Sequence, residues 1–218
     1  MKIKEGYLLI DCGNKSDAYT LVKAIHNQGI TLKDINYLLL THHHSDHCGL
    51  LTFLVNENPN MKVIMSDKCA EYLKAGVNFK DENEKYSSAL LRLILGIYFK
   101  FNGKITDRFE PYSSRAKDRI IKSDDDTILP KLGIEGKVLL TPGHTADSIS
   151  VIAEDIAFVG DAARNMLNFF GASYKPLLIS ELESCNSSLK KILESGASTI
   201  CPAHGKPFSA DRLKAIKL

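Results

Sequence analysis

His42, His44, Asp46 and His47 stand at H-x-H-x-D-H spacing directly after the apolar run Tyr37-Leu38-Leu39-Leu40. Such a run reads as a buried strand, and a loop on a strand end is a rigid platform from which several side chains can aim at one point. Imidazoles and a carboxylate aimed at one point are what a borderline or hard divalent cation requires. Without a cation the same crowding of polar groups carries a desolvation cost that nothing offsets. The loop therefore constrains the whole fold, because other strand ends must arrive to complete the cage.

The remaining sequence supplies those ends. Of the seven histidines, His26 reads as an ordinary helix residue. His144 and His204 each follow a strand-like run at a sharp turn. Lys137-Val138-Leu139-Leu140 leads into Thr141-Pro142-Gly143-His144, and Ser198-Thr199-Ile200-Cys201 leads into Pro202-Ala203-His204-Gly205. Between them, Ile156-Ala157-Phe158-Val159 ends at Gly160-Asp161. Four apolar runs thus each end in a side chain able to bind metal.

In this combination the chain resembles the metallo-β-lactamase superfamily of metal-dependent hydrolases, from Leu9-Ile10-Asp11-Cys12-Gly13 to Pro202-Ala203-His204-Gly205. The resemblance implies an α/β fold, an αββα four-layer sandwich of two mixed β-sheets flanked by helices, as one domain over residues 1–218. Family members usually carry one or two strands before the Gly6–Ile10 run, so the expectation is either that an N-terminal edge hairpin is missing or that the sequence is a shortened one. The resemblance also implies a dinuclear site, with His42, His44 and His144 on one cation, Asp46, His47 and His204 on the other, and Asp161 bridging. Asp46 and Asp161 are the implied catalytic carboxylates. Zinc is the expected metal, with iron or manganese as alternatives.

The implied reaction is hydrolysis of an ester, thioester, lactone or phosphoester of a small molecule by metal-activated hydroxide. Two rivals stand beside it. One is a persulfide dioxygenase-like oxidoreductase with a single iron on His42, His144 and Asp161. The other is a metal-binding module without catalysis. Arg164 occupies the place where the acyl-lactone hydrolases of the family carry a tyrosine. Its guanidinium is expected either to hold a substrate carboxylate or phosphate or to form a structural salt bridge.

Composition excludes little but is consistent. Lysine plus arginine number 28 and aspartate plus glutamate 26, a net charge of +2, which gives no argument for a nucleic-acid partner. No apolar run approaches membrane-spanning length, and no signal segment opens the chain. The five cysteines are scattered and unpaired in sequence, which fits a reduced, cytoplasmic protein.

Helices are expected over 17–29, 48–57 and 67–74, the last capped by Ser66, and over 179–195 with Leu182, Cys185, Leu189, Ile192 and Leu193 on one face. Residues 80–125 break the rhythm and read as a helical insertion. Its segment Ser87 to Phe99 is apolar around most of its circumference and must bury against something. It is expected to form a lid over the metal site, an extra core helix, or the contact of a homodimer through 86–101. Tyr112 and Arg115, in the loop-like sequel, are candidate substrate-binding residues. Asp11 either hydrogen-bonds the metal loop or shapes the turn before Gly13.

Overall fold

The computed structural model describes residues 1–102, 107–168 and 173–216. In chain order its main elements are β1 (Tyr7–Ile10), α1 (Ala18–Asn27), β2 (Ile35–Leu39), α2 (Ser45–Cys48), α3 (Leu51–Glu57), β3 (Lys62–Ser66), α4 (Asp67–Tyr72), β4 (Lys85–Tyr86) and α5 (Ala89–Asn102). They continue with β5 (Arg119–Ile121), α6 (Ile128–Leu132), β6 (Gly136–Leu140), β7 (Ile149–Ala153), β8 (Ile156–Gly160), β9 (Leu178–Ile179), α7 (Leu182–Glu194), β10 (Thr199–Pro202), β11 (Phe208–Ser209) and α8 (Asp211–Lys214). The chain divides into two compact units.

The first unit comprises Met1–Phe79, Asp107–Lys122 and Lys131–Ile134. Its sheet has the order β1-β2-β3-β5, with every neighbouring pair parallel. Parallel strands covered on both faces need near-continuous apolar sequence. Leu38, Leu39 and Leu40 in and after β2, and Val63, Ile64 and Met65 in β3, meet that need and are fully buried. Ile25 of α1, Leu51 and Leu54 of α3 and Cys69 of α4 pack into the same core. Ser66 caps α4 as expected, its Oγ accepting from the Cys69 N–H at 3.1 Å. Met1 and Lys2 fold back on β1, with Lys2 bridged antiparallel to Tyr7 and the Leu8 N–H donating to Met1 O.

The second unit comprises Lys80–Thr106, Ser123–Pro130 and Glu135–Leu218. Its main sheet has the order β11-β10-β8-β7-β6. β7 runs antiparallel to both β6 and β8, and β10 runs parallel to β8. It follows that β6, β8 and β10 all point the same way. Cys185, Leu189 and Ile192 of α7 pack on Leu139, Ala157 and Ile200 of this sheet. Leu182, expected on the same inward face, is 57 % exposed. It opens the helix, and the buried stripe begins one turn later at Cys185.

The 80–125 region differs from a continuous helical insertion. It is helical over Ala89–Asn102, while Asp107–Lys122 belongs to the first unit, with Phe109 and Tyr112 in its core and β5 as an edge strand. Residues 103–106 lie outside the described residues. Nor is α5 a core helix. Leu91 is buried beside Leu177, but Leu90, Leu93, Ile97, Tyr98 and Phe101 are exposed. Among the described residues no helix is long and apolar enough to cross a membrane.

Candidate metal centre

Among the described residues, both units bring metal-competent side chains together. In the first, they sit where β2 ends. The His42 ring lies 4.7 Å from that of His44 and 4.0 Å from that of His47. Asp46 Oδ2 stands 3.8 Å from His47 Nε2. Asp11, from the end of the neighbouring strand β1, fastens this loop. Its Oδ1 accepts from the Thr41 N–H at 2.7 Å. Its Oδ2 accepts from Thr41 Oγ1 at 2.7 Å and lies 2.8 Å from His47 Nδ1. Asp11 holds a φ of 55°, a left-handed conformation that aspartate tolerates better than most residues. Of its two sequence readings, the bond to the metal loop is therefore realised.

These bonds set the histidine tautomers. A carboxylate can only accept, so His47 carries its proton on Nδ1 and directs the Nε2 lone pair elsewhere. Thr41 Oγ1 gives its proton to Asp11 and lies 3.1 Å from His42 Nδ1. It therefore acts as an acceptor there and selects the same tautomer for His42. His43 is used differently, its Nε2 accepting the Phe79 N–H at 2.8 Å. Cys12 and Cys48 donate to the carbonyls of His47 and His43 at 3.2 and 3.0 Å, and burial pushes the Cys12 thiol up. Two protonated thiols pledged to backbone oxygens are poor metal ligands.

In the second unit, β6 leads to His144, β8 to Asp161 and β10 to His204. Because the three strands are co-directional, all three residues emerge at one edge of the sheet. Gly143 shapes the first of these turns. Its φ is 135°, and a Cβ there would lie 2.4 Å from Cys185 Cα, so no side chain fits between this turn and α7. His144 Nδ1 bonds Leu178 O at 2.9 Å, which puts the proton on Nδ1 and makes Nε2 the nitrogen able to bind a metal. The His204 turn is held by the Asn165 N–H, which donates to His204 O at 3.1 Å.

Asp161 is the hub of this group. Its Oδ2 is 3.6 Å from His144 Nε2 and 3.7 Å from Arg164 Nη1, and its Oδ1 is 3.5 Å from His204 Nε2. Hydrogen bonds of this type are about 2.7–3.2 Å long, so the imidazole contacts are too long to be ordinary ones. Two ligands bound at 2.0–2.1 Å to one tetrahedral cation stand about 3.3 Å apart. The spacings around Asp161, and the Asp46–His47 spacing, are close to that figure. With imidazole nitrogens and carboxylate oxygens as donors, both groups fit a borderline divalent cation.

Tyr112 and Arg115 are not at either group. The Tyr112 hydroxyl donates to Asp118 Oδ2 at 2.6 Å, and Arg115 donates to both Asp118 oxygens and to Met61 O. Asp118 Oδ1 also accepts the Val63 N–H at 3.0 Å. Met61 and Val63 mark the start of β3, whereas the His42–His47 loop follows the end of the parallel strand β2. The two side chains therefore sit at the opposite edge of this sheet, where they are structural. Burial alone would raise the Asp118 carboxyl, but the bonds from Arg115, Tyr112 and the backbone outweigh it and hold the carboxyl below the usual range.

Two supporting groups escaped sequence reasoning. Asn78 Oδ1 accepts the Ser45 N–H at 2.8 Å, and Leu178 contributes a backbone carbonyl. Neither leaves a signature, since Asn78 is remote in sequence and a carbonyl is common to every residue.

A family model described as "Metallo-beta-lactamase superfamily" matches residues 1–204. A "Metallo-beta-lactamase fold-containing protein" of Sulfurisphaera tokodaii is 26% identical over 174 residues, 80% of this chain and 62% of that protein. A "Probable metallo-hydrolase" of Methanocaldococcus jannaschii is 30% identical over 154 residues, 71% of this chain and 61% of that protein. The chain thus spans about three fifths of the length of these curated relatives. A solved metallo-beta-lactamase family protein of Thermus thermophilus superposes with a TM-score of 0.66 at 20% identity, covering 98% of this chain and 70% of that one.

Proposed function

The chain belongs to the metallo-beta-lactamase superfamily, and on that footing we propose that it is a metal-dependent hydrolase. As the family resemblance implies, His42, His44 and His144 would hold one cation and Asp46, His47 and His204 a second, with Asp161 as the carboxylate common to both. The observation that carries this reading is the Asp161 hub, where two imidazole nitrogens face one buried carboxylate at ligand spacing, 3.5 and 3.6 Å. The relative described as a probable metallo-hydrolase supports the reaction class.

When bound, a pair of divalent cations, zinc by the donor set, brings the pKa of a water from ~15.7 toward ~7 and polarises a carbonyl or phosphoryl oxygen. The chain's own residues do the rest. Asp11 and the Leu178 carbonyl fix the ring orientation of His47 and His144. Asp46, whose side chain is 33 % exposed, takes up the proton of the attacking water. Asp161 faces His144 and His204 at ligand spacing and would join them through the cation rather than by direct bonds. Arg164 is buried, and its Nε has no hydrogen-bond partner among the described residues. Its Nη1 lies 3.7 Å from Asp161 Oδ2, so of its two sequence readings these contacts support the structural salt bridge. The proposed substrate is a small molecule with an ester, thioester, lactone or phosphoester bond.

The test is a panel of those four bond types with the metal-loaded protein and its Asp161→Ala variant. Hydrolysis of at least one class, lost in the variant, is the expected result. Oxygen consumption with a persulfide and no hydrolysis would replace the reading by the iron oxygenase. The exposed stripe on α5 supports its use as a contact between two copies of the chain rather than as core.

A further inference from the structure

The helix that carries Asp46 and His47 has an unusual capping problem. The first N–H groups of a helix have no partner within it, and the residue at the N-cap ordinarily supplies a short oxygen-bearing side chain. In α2 the N-cap is His44, which makes no side-chain cap bond. An imidazole assigned to a cation cannot turn back to cap. The acceptor comes instead from Asn78, whose Oδ1 takes the Ser45 N–H at 2.8 Å.

The same short segment is fastened to the loop a second time. The neighbouring Phe79 N–H donates to His43 Nε2 at 2.8 Å. His43 lies between two ligand residues and is buried, its ring 4.7 Å from that of Tyr72, on which the Phe79 ring stacks at 4.8 Å. The segment is itself anchored, because the Asn78 N–H donates to Asp107 O at 2.7 Å and Val77 bridges Arg108. One rigid piece of chain thus grips the H-x-H-x-D-H loop by a side-chain acceptor and by a backbone donor.

We infer that Asn78 and His43 are positioning residues that clamp the metal loop, Asn78 by capping α2 and so fixing where Asp46 and His47 point. His43 is the partner grip and not a ligand, although it lies within the histidine cluster. The inference rests on the proposed metal reading for its consequence, since removing the cap loosens the two ligands that α2 carries while leaving His42 and His44 on their strand end. The expected effect is selective: the cation assigned to Asp46, His47 and His204 is the one lost first. Supporting residues of this kind are worth about 10- to 100-fold in metal affinity.

The experiment compares the wild type with Asn78→Ala and Asn78→Asp. Aspartate keeps an acceptor oxygen at the same reach and suits a helix N-terminus. Hydrogen exchange of the Ser45 amide in the metal-free protein reads the clamp directly. Protection present in the wild type and N78D and lost in N78A is expected. Zinc titration against a chromophoric chelator reads the consequence: N78A weakens one of the two binding steps by about 10-fold or more, and N78D restores it. Equal Ser45 protection in all three proteins, or equal zinc binding by N78A and wild type, overturns the inference. A wild type that binds no zinc overturns the metal reading instead, while the exchange result still judges the clamp. A metal-free N78A that has lost its circular dichroism would show Asn78 to be a general stability residue and overturn the selective role.

Discussion

Replacing Asp11 by asparagine separates charge from shape at the support of the metal loop. Asparagine tolerates the left-handed backbone that Asp11 adopts at φ 55°, so backbone strain does not confuse the outcome. The amide oxygen can still accept the Thr41 N–H, a bond of 2.7 Å in the native protein. The amide nitrogen then faces Thr41 Oγ1 and His47 Nδ1, at positions where the native oxygen lies 2.7 and 2.8 Å away. Both native contacts are donors to a carboxylate, and an NH2 group can accept neither. His47 must move its proton to Nε2 to accept from the amide, and that removes the lone pair offered to the cation.

The magnitude follows from those losses. A hydrogen bond to a charged group contributes about 1.5–3 kcal/mol, and part is recovered by the remaining amide bonds, so the metal-free protein loses about 1–2 kcal/mol. Metal affinity falls about 10- to 100-fold, equivalent to about 1.4–2.8 kcal/mol. Chelator competition measures the affinity, and nitrogen-15 NMR of the imidazole reads the tautomer. A D11N protein that keeps wild-type affinity within about twofold, with His47 still protonated on Nδ1, would refute the claim that Asp11 selects the ligand nitrogen.

Other outcomes follow from the same geometry. Asp118→Asn breaks a buried, multiply bonded carboxylate, and a loss of about 3 kcal/mol in urea unfolding is expected. Because the folded protein holds this carboxyl below its usual value, the unfolded chain binds the proton first. Its stabilisation is complete above about pH 5 and fades as pH falls through the unfolded and then the folded value, so D118N flattens the acid side of the stability profile. Gly143→Ala places a Cβ 2.4 Å from Cys185 Cα at φ 135°, and thermal unfolding should show a loss of about 2–4 kcal/mol. Glutamate at Leu93 and Ile97, which are 61% and 51% exposed, is expected to convert a dimer to a monomer in sedimentation. Wild type that is already monomeric, with altered kinetics in the variant, would favour the lid.

The candidate ligand side chains were legible in the sequence because strand-end chemistry is local. An apolar run followed by histidine or aspartate at a turn needs no tertiary knowledge to be noticed, as at Leu140 to His144 and Val159 to Asp161. The shared direction of β6, β8 and β10 could not be read that way, since it depends on β7 returning between them. Tyr112 and Arg115 misled for the reverse reason. A tyrosine and an arginine in a loop look the same whether they face a substrate or a buried partner, and only Asp118 decided it. The apolar segment around Leu93 required burial by its pattern, yet in the folded chain most of that surface is open. Sequence periodicity says that a face must be covered, not by what.

Elemental analysis of the purified protein, metal loaded and then dialysed, tests the central claim most directly. About two divalent cations per chain are expected, falling to about one or fewer when Asp161 is replaced by alanine. A wild type that retains none, or a D161A protein that retains the full complement, would contradict it.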